Sequence, residues 1–270
     1  MAIFVYAAGG VSERFGGKVK GLTPVGSNNE TLLEISMTQA IQAGCTEFIF
    51  IVGKKSAHEI QAFFGNEYKQ IPIRYAMQTF DEKERDKPWG TTDALIAAKP
   101  LISSNFVFLN ADDIYGTHAL RTLVQSLNSS QNCLLIGYLL ENVLPADQST
   151  ANRAIVTEEQ GLVTDIQENF QLSLTNYKNR GLDRNSICAL NLFGITNKTL
   201  SLLEKELEEF KKLHRGNRTI ECYLPNSLQN LISKKLIHMT VIKTSDKWFG
   251  ITSPSDVPLL RKQIAERESS

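Results

Sequence analysis

The sequence predicts an α/β fold: a mostly parallel, mixed, Rossmann-like sheet flanked by helices. Three observations predict it. Apolar runs of strand length alternate with helix-period stretches over about the first half of the chain, as parallel strands with helical crossovers require. The first run, Ile3 to Ala8, breaks directly into a glycine-rich loop. Later runs then read as antiparallel strands, with a hairpin among them.

In chain order, Leu33, Met37 and Ile41 fall on one face of a helix ending at Gly44, and Phe48 to Val52 follows as a buried strand. Ser56 with Glu59 reads as a capping box for a helix ending near Gly65. A strand at Ile73 to Ala76, a helix from Thr91 to Lys99 and a strand from Phe106 to Leu109 come next. Leu120, Leu123, Val124 and Leu127 form the stripe of another helix, and Leu134 to Leu140 is a strand. Ala154 to Thr157 and Leu162 to Ile166 flank a turn ending at Gly161, and a polar loop, Asn176 to Asn185, leads to a strand at Ser186 to Phe193. Helices follow at Leu200 to Phe210 and Leu228 to Lys234, then a strand at Met239 to Ile242 and a helix capped by Ser255.

Composition narrows the function. At 270 residues and 42% hydrophobic, one domain over 1–270 is expected. Lys plus Arg equal Asp plus Glu at 29 each, so no overall field draws the chain to nucleic acid or to a membrane. No 18-residue apolar run or leader pattern is found, which suggests the cytoplasm, and a homo-oligomer stays open. Cys45, Cys133, Cys188 and Cys222 lie too far apart for a zinc motif and read as free buried thiols. His58, His118, His214 and His238 form no triad or ligand spacing.

The glycine loop is an anion-binding layout: glycine lets main-chain N–H groups close on phosphate oxygens, while Arg14 and Lys20 bring positive charge. It is neither a Walker loop, since Gly21-Leu22-Thr23-Pro24 follows Lys20, nor a dinucleotide fingerprint. The segment from Tyr6 through Arg14 and Lys20 to Pro24-Val25-Gly26 resembles the signature of the sugar nucleotidyltransferases, the nucleoside-diphosphate-sugar pyrophosphorylases. Four further segments keep that family's order: Trp89-Gly90-Thr91-Thr92-Asp93-Ala94, Asn110-Ala111-Asp112-Asp113-Ile114-Tyr115-Gly116, Ile166-Gln167-Glu168 and Trp248-Phe249-Gly250-Ile251-Thr252.

The resemblance implies a nucleotide-diphospho-sugar transferase (GT-A-like) architecture. The nucleotide-binding half would span about 1–140, the sugar-phosphate half about 141–252, with a C-terminal helix at 255–267. It implies Mg2+-dependent condensation of a nucleoside triphosphate with a sugar 1-phosphate or similar phosphorylated metabolite. That reaction needs no general base, because the attacking oxygen is already ionised.

By resemblance, Arg14 and Lys20 hold the triphosphate, with Lys18 a rival to Lys20, and Asp112 binds the metal. The second family aspartate falls on Gly250, so Asp246, Asp256 or water would supply the other ligand; Asp246 is the expected one. Ala8, Gly9, Gly10, Gln78, Gly90 and Thr91 would contact the nucleotide, Glu168 and Asn191 the sugar. The lysine that often follows this glutamate is Asn169 here, leaving Lys247, Lys178 or Arg180 to bind the sugar phosphate. The charge run Asp81 to Lys87 reads as a solvated loop or as a lid over the base. The alternative function is a nucleotide-sugar-binding regulator of the same fold.

Overall fold

The computed structural model describes residues 2–10, 15–145, 150–251 and 254–268. Strand β1 (Ala2–Ala7) is followed by α1 (Leu32–Gln42), β2 (Cys45–Val52), α2 (Ala57–Phe64), β3 (Glu67–Tyr68), β4 (Ile71–Met77), α3 (Thr91–Ala98) and β5 (Phe106–Asn110). Then come β6 (Asp113–Ile114), α4 (Thr117–Ser129), β7 (Cys133–Leu139), β8 (Ala151–Glu159), β9 (Leu162–Leu172) and β10 (Ile187–Ile195). The chain continues with α5 (Asn197–Leu213), α6 (Leu224–Ser233), β11 (Met239–Thr244), β12 (Phe249–Gly250) and α7 (Val257–Glu268).

Ten strands make one mixed sheet in the order β3-β4-β2-β1-β5-β10-β7-β11-β9-β8. Strands β4, β2, β1 and β5 are parallel, as the alternating pattern requires. Side chains alternate across β1: Phe4 and Tyr6 pack with α1, α2 and α4, while Ile3 and Val5 pack with α3, α5 and α6.

Strand β10 organises the centre. It runs antiparallel to β7; its other edge pairs with β5 through Phe193, Gly194 and Ile195, and with β8 through Ile187, Cys188 and Ala189. Between those stretches the register shifts and Asn191 takes φ +58°, a conformation only a few per cent of non-glycine residues adopt. The end of β5 and the start of β8 therefore face each other across this kink.

Two local readings are corrected. Ser56 and Glu59 form no capping box: the Ser56 hydroxyl accepts the Gly53 N–H, and Glu59 accepts from Val19. The capping box belongs to Thr31 and Glu34 at the start of α1. Strand β11 is parallel to β7, so the second half is not purely antiparallel. The 154–166 hairpin forms, with Gln160 and Gly161 at φ +53° and +82° in a two-residue turn. All four cysteines are free and buried.

Candidate active site

The site begins where β1 and β5 end, the carboxyl edge at which open α/β sheets bind ligands. The turn Lys20–Leu22 lies on the residue after β5, and a β-carbon at Gly21 would fall 2.6 Å from Ala111 O, so glycine permits the approach. Lys20 is thereby brought to Asp112: its Nζ pairs with Asp112 Oδ2 and donates to Ile251 O at 3.0 Å. Both side chains keep about a quarter of their surface in water, at 26% and 29%. Lys18 is exposed and has no such partner among the described residues. Arg14 lies outside the described residues.

Asp113 is buried and accepts from Asn110 Nδ2 at 2.8 Å and from the Tyr115 hydroxyl at 3.1 Å. Burial, reinforced by the charge of Asp112, pushes its carboxyl up to about 7. The same Tyr115 hydroxyl reaches Leu190 O at 2.8 Å, and Asn191 Nδ2 meets Asn110 Oδ1 at 3.5 Å. The kink in β10 thus turns Asn191 toward the Asp112–Asp113 corner.

The segments expected around the nucleotide divide. Ala8 donates to Ile51 O, continuing the sheet, while Gly9 backs onto Gly53 and Gly10 has open space beside it. Gln78 is buried; its amide nitrogen donates to Gly90 O at 3.0 Å and Asp93 Oδ2 at 2.8 Å, and a β-carbon at Gly9 would lie 3.6 Å from its Oε1. Gly90 and Thr91 have partners within the protein. Gly90, at φ +99°, packs against the Cys222 main chain, and the Thr91 hydroxyl accepts the Leu224 N–H at the start of α6.

Asp246 is placed differently from the metal ligand expected: its Oδ2 accepts the Ala119 N–H at 2.9 Å, capping α4. The described residues hold no group of three or more His, Cys, Asp and Glu side chains set to bind a metal. Gly250 cannot be an aspartate in this packing, because a β-carbon there would sit 2.5 Å from both Asp113 Oδ1 and Trp248 Cζ2. Gly250 pairs with Asp113 in the β12–β6 ladder. Asp112 itself fits a magnesium ligand: one hard carboxylate together with phosphate oxygens makes an ordinary site for that ion.

Among the residues expected around the sugar, Glu168 is half-buried, and burial raises its pKa against the opposing pull of Arg153. Lys247 and Arg180 are exposed, and Lys178 lines a separate cavity of about 360 Å3 with Leu140, Leu174, Tyr177 and Arg184.

Two arginines went unread in the sequence. Arg153, at the start of β8, stands 4.8 Å from the Trp248 ring, with Asp113 and Glu168 near enough to act on its charge. Arg85, inside the charge run, is buried 3.5 Å from the centre of the Trp89 ring and donates to Lys87 O, Asn217 O and Ile220 O. Arg218 pairs with Asp86, and Lys87 with Glu221, so the charged loop is docked on 217–221. Asn217 and Ile220 for Arg85, and Trp248 for Arg153, are far away in sequence, and no local signal marks those contacts.

The nucleotidyl transferase family model matches residues 17–182. A search of curated sequences finds no match. Among solved structures, the UTP-bound UGPase from Acinetobacter baumannii is similar at TM-score 0.69 and 15% identity, over 100% of this chain and 98% of that one. A putative glucose-1-phosphate thymidylyltransferase from Bacillus anthracis gives 0.69 and 16%, over 97% and 95%. HddC from Yersinia pseudotuberculosis, complexed with GMP-PN, gives 0.65 and 15%, over 97% and 99%. With the match reaching from the turn before Lys20 past Asp112 and Glu168, this chain belongs to the nucleotidyl transferase family.

Proposed function

We propose that the chain works as a single nucleotidyltransferase domain, in the cytoplasm, joining a sugar 1-phosphate to a nucleoside triphosphate and releasing pyrophosphate. The pairing of Lys20 with Asp112 at the shared edge of β1 and β5 carries this reading. An ionised oxygen of the sugar phosphate attacks the α-phosphorus, and the bond to the bridging oxygen breaks with its electron pair leaving on pyrophosphate. Lys20, a compact point charge, would exchange Asp112 for the triphosphate and offset charge on the departing group. Arg14 would share that task. Magnesium, held by Asp112 and the phosphates, supplies further neutralisation when bound. Gly9 and Gly10 line the phosphate approach, and Glu168 and Asn191 face the sugar. A binding-only regulator has no support from the comparisons.

Gln78 narrows the base. Both of its amide hydrogens are taken by Gly90 O and Asp93, so the oxygen is what it offers. An acceptor suits the ring N–H of uracil, thymine or guanine, which cytosine and adenine lack. The similar structures above are a UTP-bound protein, a thymidylyltransferase and a GMP-PN complex.

The test is pyrophosphate release from nucleoside triphosphates and hexose 1-phosphates with Mg2+. Lys20→Ala and Asp112→Ala are each expected to lower turnover by about 100- to 1,000-fold while unfolding at nearly the wild-type temperature. Wild-type rates in both variants would overturn the reading.

A further inference from the structure

The β8–β9 ladder places Arg153 directly opposite Asn169 and Ala154 opposite Glu168. Opposed residues of an antiparallel pair send their side chains to the same face, with β-carbons about 4.5–5.5 Å apart. A cation at 153 therefore emerges beside Asn169, the residue after Glu168. Arg153 is also one residue beyond the Ala154–Ala189 pair, next to the β10 kink whose Leu190 carbonyl and Asn191 side chain contact Tyr115 and Asn110.

Its bonding is incomplete. The guanidinium donates from Nε and Nη2 to one carbonyl, Val143 O, at 3.0 and 2.6 Å, and from Nη1 to Asn152 O at 2.8 Å. Two of its five N–H groups are thus unused in these bonds, and no carboxylate among the described residues pairs with it. Beside it, the buried Trp248 Nε1–H has no acceptor among the described residues. Trp248 in turn packs on Gly250, which faces Asp113. A guanidinium with two N–H groups to spare therefore adjoins the Asp112 corner beside an indole N–H that lacks an acceptor, and unused donors of this kind suit the oxygens of a phosphate monoester.

We infer that Arg153 binds the phosphate of the sugar 1-phosphate. This rests on the nucleotidyltransferase reading above. The attacking oxygen would be held by a planar donor able to grip two phosphate oxygens at once.

The test uses the full chain, with steady-state kinetics and calorimetric titration of hexose 1-phosphates. Arg153→Gln is expected to raise KM for the sugar phosphate by about 10- to 100-fold while leaving KM for the nucleoside triphosphate unchanged. Adding Asn169→Lys to that variant should return most of the loss, which a purely structural role through Val143 O would not allow. Asn169→Asp, which leaves every Arg153 bond in place, should raise the same KM by setting a competing carboxylate opposite the guanidinium. An unchanged sugar-phosphate KM in both Arg153→Gln and Asn169→Asp overturns the inference and spares the parent reading. A wild-type chain that turns over no hexose 1-phosphate, and binds none, overturns both.

Discussion

Two arginines each stand over a tryptophan, and they are bonded to opposite ends. Arg85 sends three N–H groups to three separate carbonyls, two of them more than 130 residues away, and so staples its loop to 217–220. Arg153 spends two of its three bonds on a single carbonyl, and its tryptophan's N–H has no partner among the described residues. Stacking on an aromatic ring is common to both, so it does not tell a structural cation from a ligand-binding one. The destination of the hydrogen bonds does.

The strongest way to break this comparison is Arg85→Met. It removes three hydrogen bonds made by a buried guanidinium and should cost about 2–4 kcal/mol in urea unfolding, with KM for the sugar phosphate unaltered. A raised KM without loss of stability would erase the distinction. A finer probe is Trp248→Phe, which keeps a ring near Arg153 and deletes only the indole N–H. Sugar-phosphate KM should rise about 5-fold with little change in stability, whereas Trp89→Phe should leave the kinetics alone. The smallest effect concerns the hairpin that carries Arg153. Glu158 accepts the Gly161 N–H at the turn and pairs with Lys243, and those bonds hold its carboxyl below the usual range. A depressed folded-state pKa contributes stability above the ordinary carboxylate value and loses it as pH falls through the depressed one. Glu158→Gln should therefore melt slightly below wild type at neutral pH, and the gap should close in acid.

Much of the site was legible because it rests on local chemistry. Apolar runs located β1, β2 and β5, and the glycine loop pointed to Lys20, while Asp112 follows directly from the end of β5. What stayed hidden depends on pairing. Periodicity says which face a side chain takes but not who stands opposite, so the Arg153–Asn169 register was invisible, as was β11 running parallel to β7. Gly90 is closed on one side by the Cys222 main chain, and Asp246 accepts the Ala119 N–H at the start of α4. In each case the residue type was informative about what it can bind, and the fold had already supplied a partner from elsewhere in the chain.

The kinked strand β10 touches β5, β7 and β8, so the Asp112 corner and the start of β8 with Arg153 hang from one continuous hydrogen-bonded backbone. A clam-shell hinge between them would have to shear that strand from its neighbours. On the proposed function, enclosing two substrates must then fall to loops and side chains at the rim, and catalytic alignment should survive crowding, viscosity or tethering at the chain ends better than in an enzyme whose lobes swing.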